Sequence, residues 1–195
     1  IVAQGTSPFF RLGTTIENDC AIKSYYIFPP QDSLKWAKIC EKIIMHYNEG
    51  WANGYHMGIR YWEIWNEPDN HPNPKDNPMW QGTMEQYFTL YEAASIYLKA
   101  RFPSLKIGGY GSCGVYAVLE HTSGSVENAN VGPRFEYFIE FMEQFLVYVK
   151  SNNCPLDFFS WHSYGSVSDN IEYSRYVRRR LNEMGFAGTE SILDE

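Results

Sequence analysis

The chain has 195 residues, 44% hydrophobic and 20% charged, with 16 Lys+Arg against 23 Asp+Glu for a formal net charge of −7. This is globular composition and argues against disorder; the length predicts one domain over residues 1–195. The acidic balance disfavours nucleic acid and anionic membrane as partners, which need clustered Lys/Arg, and no apolar run approaches the roughly 18 residues of a spanning helix.

In chain order, strands and helices alternate. Residues 8–16 form a short β-rich run, and Pro29-Pro30 punctuate the loop behind it. A helix from about Ser33 to Asn48 places Trp36, Ala37, Cys40, Ile43, Ile44 and Tyr47 on one face, with Gly50 as its stop. Residues 58–65 read as the second strand from their β-branched and aromatic content. A polar, Pro-rich loop fills 66–82, and Thr83 with Gln86 makes a capping box for the next helix. That helix carries Tyr87, Leu90, Tyr91, Ala94 and Leu98 inward and stops at Pro103. Residues 105–110 are the third strand, and the Gly/Ser-rich stretch after it is expected to be loop to about 132. A helix opened near Pro133 turns Phe135, Phe138, Met142, Phe145, Leu146 and Val149 inward. Residues 156–162 are the fourth strand, about 169–184 the fourth helix, and 189–195 the fifth strand.

Such alternation demands parallel strands joined by crossover helices. A doubly wound sheet or part of a (β/α)8 barrel accommodates it. Each unit takes roughly 43 residues, against roughly 31 in a complete barrel, so the loops are long. The longest follow the strands, where ligand sites sit in both folds. Gly108–Gly114 superficially resembles a phosphate cradle but lacks the G-x-G-x-x-G spacing and the P-loop Lys, which weighs against nucleotide binding.

Cys20, Cys40, Cys113 and Cys154 are widely spaced, with no CxxC and no His pair at zinc spacing, so no metal site and no cofactor is expected. Buried thiols lean toward a reducing compartment. Residues 1–5 carry neither the basic nor the apolar stretch of a signal peptide, and no Asn-x-Ser/Thr sequon occurs.

Trp65-Asn66-Glu67-Pro68 ends the second strand and sets a carboxylate beside an amide able to donate and accept. A solvated Glu on a capped strand end is the plain alternative. Asp194-Glu195 ends the fifth strand; in a closed barrel it would face Glu67 across the pocket, as a two-carboxylate glycosidase requires. Spacing alone favours a frayed, charged end there. His162 and Tyr164, after the fourth strand, suit hydrogen bonds to an ionised carboxylate, although a half-buried structural His is common. Trp62, Trp65, Trp80, Trp161, Tyr110 and Tyr164 are candidate sugar-stacking surfaces, about half of them expected in the core. His71 and His121 are candidate rim residues, and Arg178–Arg180 read as a solvated helix face.

The run Glu63-Ile64-Trp65-Asn66-Glu67-Pro68 resembles the acid/base signature of clan A glycoside hydrolases. With Tyr61-Trp62 before it and Asp69 after it, the stretch looks most like family 39, the β-xylosidase and α-iduronidase group. Residues 157–164 are similar to that group's sixth strand and residues 7–12 to its third, so nearly the whole chain reads as strands three to seven of a partial barrel. The resemblance implies a retaining glycosidase acting on β-xylosides or related glycans. In it Glu67 is the acid/base, Glu195 the nucleophile and Asn66 the partner of the sugar 2-hydroxyl, while His162 and Tyr164 stand near the nucleophile. An oligosaccharide or glycoside is then the ligand. Open barrel edges are an expected contact for a second copy. The alternative is a barrel fragment that binds carbohydrate without turnover, in which the two carboxyl groups would not approach each other.

Overall fold

The computed structural model describes residues 2–14, 26–119 and 132–195. A short 3-10 turn, Val2–Gln4, precedes β1 (Phe9–Leu12), α1 (Ser33–Asn48), β2 (Tyr61–Ile64), α2 (Met84–Arg101), β3 (Lys106–Ser112), α3 (Pro133–Ser151), β4 (Phe158–Trp161), α4 (Val167–Glu183) and β5 (Glu190–Leu193). A second 3-10 turn, Tyr116–Val118, lies between β3 and α3.

The five strands form one sheet in the order β1-β2-β3-β4-β5. All four pairings are parallel. A doubly wound sheet reverses its strand order at a switch point; this sheet advances one strand at a time in one direction, which is barrel topology. The expected partial (β/α)8 barrel is therefore the observed fold class.

Strand periodicity sorts the side chains into two layers. On β1, Phe10 stacks toward Tyr47 of α1 and Trp62, with ring centroids 5.1 and 4.8 Å apart, while Phe9 meets Tyr61 and Phe158 at 5.8 and 5.1 Å. Phe9, Tyr61 and Phe158 thus plug the concave side. The next inward residues on the same strands, Arg11, Glu63 and Ser160, are joined by hydrogen bonds. The opposite layer, with Trp62, Ile64, Ile107, Phe159 and Trp161, packs on Tyr87, Tyr91, Phe141 and Phe145 of α2 and α3.

Local signals explain the helices. Asp32 caps α1 by accepting from the Lys35 amide, and Gly50 at φ +75° leads the chain out of it. Thr83 and Gln86 form the predicted capping box of α2, and Ser166 with Asp169 forms another on α4. Phe135 is only half-buried, whereas Phe141, which the periodicity reading passed over, is fully buried in α3.

Two readings require correction. The Gly-rich stretch after Tyr110 is not loop from its start: β3 runs on through Ser112. A Cβ at Gly108 would meet the Phe158 carbonyl oxygen at 2.2 Å, so the glycine lets β3 lie against β4. Arg178 is not a solvated residue either; it donates to the Phe186 and Thr189 carbonyls and ties α4 to the start of β5. Cys20 and His121 lie outside the described residues; the three other cysteines are buried and free. Among the described residues no helix is long and apolar enough to cross a membrane.

Candidate active site

The site lies at the carboxyl ends of the strands. The chain turns there at Trp65 and Glu67, whose φ values of +77° and +46° are rare for residues with a Cβ. The turn therefore begins before Pro68. Backbone bonds from Trp65 N to Leu12 O (2.7 Å) and from Glu67 N to Gly111 O (2.9 Å) hold these two residues against the neighbouring strands. Asn77 pins the loop behind them, donating to Pro68 O and accepting from the Met79 and Trp80 amides.

Glu67 faces His162, with Oε1 and Nδ1 2.8 Å apart, and its Oε2 accepts from Asn70 Nδ2 at 2.8 Å. Burial works to raise its pKa. The His162 bond and charge, followed by Asn70, outweigh burial and hold the carboxyl below its ordinary value. Asn70 is itself fixed by Arg134, which donates to its carbonyl and side-chain oxygens at 2.8 and 3.0 Å.

Glu195 accepts from Arg11 Nη1 at 2.8 Å and from the Tyr164 hydroxyl at 3.0 Å. Burial and the Glu195 charge push Tyr164 up to about 12, so it remains a donor at neutral pH. One oxygen of Glu67, one ring nitrogen of His162 and one oxygen of Glu195 lie within 4.8 Å of one another. Residues that follow β2, β4 and β5 thus converge, and Arg11 from β1 joins them. Arg11 already occupies Glu195 and Glu67 occupies His162 Nδ1, so this trio is a hydrogen-bonded set rather than a cation cage.

Asn66 is 1% exposed, and its Oδ1 has no hydrogen-bond partner among the described residues. A Cβ at Gly111, whose φ is +60°, would stand 3.0 Å from that oxygen and 3.2 Å from His162 Nε2. The glycine leaves room at the floor of the site.

The aromatic platforms are a correction. Trp65, Trp80 and Trp161 are 2%, 1% and 2% exposed, and Trp62 and Tyr110 are fully buried. Strand alternation turns Trp62 and Trp161 toward the helices, away from the concave face carrying Glu63, Ser160 and His162. Trp65 packs on Trp80, with centroids 5.0 Å apart, and its indole donates to Met79 O. Of the six proposed aromatic surfaces only Tyr164, 77% exposed, is open to solvent. His71 bonds Asn73 of its own loop and lies apart from the cluster.

Three residues escaped the sequence reading. Arg11 bonds Glu63, Glu195 and Asp194 from β1. Glu63 is 0% exposed and also accepts from Ser160 Oγ. Asp69, likewise 0% exposed, accepts from Ser112 Oγ at 2.7 Å and from the Cys113 amide at 3.1 Å, lacing the β2 loop to the end of β3. A signal existed for the first two: Arg11 and Glu63 are lone charges in apolar strands, and their Cα positions pair in register.

Burial drives the Asp69 pKa from 3.8 to about 7 despite its donors. Its folded value lies above its unfolded one, so the folded state holds the extra proton and stability falls as pH rises through about 4 to 7. The span corresponds to at most about 4 kcal/mol. Urea unfolding across that window is expected to show the fall in the parent and its loss in Asp69→Asn; parallel curves would refute it.

The model of "Glycosyl hydrolases family 39" matches residues 2–185. A curated β-xylosidase of Caldicellulosiruptor saccharolyticus is 28% identical over 161 residues, which are 79% of this chain and 26% of that protein. The crystal structure of a glucosidase from Croceicoccus marinus is similar with a TM-score of 0.72 and 30% identity, covering 99% of this chain and 36% of that one. A monomeric β-xylosidase from Caulobacter crescentus shares the fold at a TM-score of 0.62 and 21% identity, covering 98% and 38% respectively. The chain therefore spans well under half the length of each of these relatives.

Proposed function

Because the chain belongs to glycosyl hydrolase family 39, we propose that it carries the reacting centre of a retaining glycosidase acting on β-xylosides or similar glycosides, with Glu67 and Glu195 as the catalytic pair. The observation that carries this reading is the approach of their oxygens to within 4.8 Å. Retaining enzymes separate their carboxyl groups by about 5–5.5 Å, whereas inverting enzymes leave about 6.5–9.5 Å for a water. The same closeness disfavours the reading as a carbohydrate-binding fragment without turnover.

In the first step Glu195 attacks the anomeric carbon while Glu67 delivers its proton to the departing oxygen, giving a glycosyl ester and the free alcohol. In the second, Glu67 takes a proton from water, whose oxygen displaces Glu195 from the same carbon. Arg11 and Tyr164 aim Glu195 through their hydrogen bonds to its two oxygens. The unpartnered Asn66 Oδ1 suits a sugar hydroxyl that donates to it. The arrangement seen here, in which both Glu67 oxygens face donors, is that of the base in the second step.

The test is the stereochemistry of the first product. Proton NMR of the complete protein acting on aryl β-xylosides and β-glucosides is expected to show the β-anomer appearing first. An α-anomer would exclude the double displacement.

His162 sets the pH range of the acid. Its pKa is itself raised: burial lowers it, but the bond to Glu67 and the charges of Asp194, Glu67 and Glu195 prevail. Removing it leaves burial as the main influence on Glu67, so the Glu67 pKa rises and the protonated acid persists to higher pH. The alkaline limb of kcat/KM is expected to move upward in His162→Phe; an unmoved or lowered limb would contradict this coupling.

A further inference from the structure

Below the proposed catalytic pair lies a second pair of carboxyl groups that the double displacement does not use. Glu63 projects from β2 and is 0% exposed; Asp194 follows β5, and its side chain is 10% exposed. The guanidinium of Arg11 lies between them and Glu195, but it does not serve the three acids equally. Its Nε makes a close bond to Glu63, its Nη1 reaches Glu195 at 2.8 Å, and its contact with Asp194 Oδ2 is 3.4 Å, at the outer edge of hydrogen bonding.

The other oxygen of Asp194, Oδ1, is buried with no hydrogen-bond partner among the described residues. The nearest candidate donor, His162 Nε2, is 3.6 Å away, too far for a bond. That nitrogen also lies 3.3 Å from Arg11 Nη2. A guanidinium can only donate, so in the neutral imidazole Nε2 is the acceptor and Nδ1–H faces Glu67. An ionised Asp194 would thus have one buried oxygen bare and the other held only at long range, an arrangement that a buried carboxylate seldom tolerates. A neutral acid has no such difficulty, because its hydroxyl becomes a donor, and Glu63, which shares Arg11 with it, is an acceptor that interacts with it.

We propose that Asp194 is a neutral carboxylic acid that donates its proton to Glu63, and that this acid–carboxylate pair orients Arg11 onto Glu195. The single negative charge of the pair, with that of Glu195, is what one guanidinium can serve. A second charge at Asp194 would draw Arg11 away from Glu195. The titratable and charged groups facing Asp194 are Arg11 from β1, Glu63 from β2 and His162 after β4, with Glu195 next to it in the chain. Burial, followed by the Glu63 charge, pushes its pKa up to about 8, in agreement with the geometry. Asp194 is in this view a positioning residue. The positioning half of the inference rests on the reading of Glu195 as the nucleophile; the protonation half does not.

Two measurements separate these halves. The first is pH-difference infrared spectroscopy of the complete protein, which sees a buried protonated carboxyl directly. With Asp69, the other buried carboxyl raised toward neutrality, replaced by Asn in every sample, its band is expected at neutral pH in the otherwise parent protein, to be kept in Glu195→Gln and lost in Asp194→Asn. A parent without the band, or a band that survives in Asp194→Asn, overturns the proposal. The second is the rate of covalent labelling by a 2-deoxy-2-fluoro aryl glycoside with a dinitrophenolate leaving group, which needs no proton from Glu67 and so reports on Glu195 alone. Asp194→Ala is expected to label about 10²-fold more slowly, the scale of a misplaced reacting group. Asp194→Asn, whose amide N–H can replace the acid O–H toward Glu63, is expected to restore most of that rate. If Asp194→Asn is as slow as Asp194→Ala, the residue acts as an anion and the proposal fails. Labelling at a residue other than Glu195 overturns the parent reading and with it the positioning half, while the infrared band still decides the protonation state.

Discussion

Glu195→Gln is expected to lower kcat on aryl glycosides by on the order of 10⁴–10⁶-fold, the range seen when a nucleophile is removed from a covalent mechanism. The amide keeps the volume and still accepts from Arg11 and Tyr164, so the fold should persist. What it lacks is an anionic oxygen able to form the glycosyl ester. The parent, treated with an activated fluoro-glycoside, should carry the sugar on Glu195, and peptide mass mapping should place it there. The variant should carry none. Residual turnover within tenfold of the parent would remove Glu195 from the mechanism.

Glu67→Ala is expected to behave differently, and the difference is diagnostic. Substrates with poor leaving groups need the proton, and their kcat/KM should fall about 10²–10⁴-fold. Dinitrophenyl glycosides leave without help, so their first step should be nearly spared. Their second step still lacks a base, so the glycosyl ester should accumulate and a burst of phenolate should precede slow turnover. Azide, which needs no deprotonation, should restore turnover and yield a glycosyl azide of retained configuration. Equal losses on all leaving groups, with no azide rescue, would point to a structural effect of the substitution. That effect is a real alternative, because Glu67 N is bonded to Gly111 O and its side chain to His162 and Asn70. The azide measurement excludes it when rescue is seen.

Much of the fold was legible because local signals agreed with the global arrangement. Thr83 and Gln86 marked a helix start, Gly50 marked an end, and the inward stripe of α2 emerged buried as read. The carboxylate and amide at 66–67 were legible because a charged and a polar residue ended an apolar strand. The misreadings have physical causes. Glycine is depleted in strands, so propensity ends the strand at Tyr110 and reads Gly111 and Ser112 as loop; the pairing of Ser112 with Trp161 is a tertiary demand that propensity does not contain. Trp161 looked like a platform because it ends a strand, yet period-two alternation, counted back from His162, already turned it to the helix side. Arg11 was passed over since its value depends on partners from strands that lie far off in the sequence.

That distance has a consequence for how the protein is made. Arg11 meets Glu63 across 52 positions and Glu195 across 184, while His162 meets Glu67 across 95. Contacts of such high order form late, after loop closure has brought the ends together. A nascent chain emerging from the ribosome holds Arg11 and Glu63 well over a hundred residues before Asp194 and Glu195 are added. The charges of the site are therefore brought together after the aromatic layers of β1 and β2 exist, once the residues that follow β5 have been added.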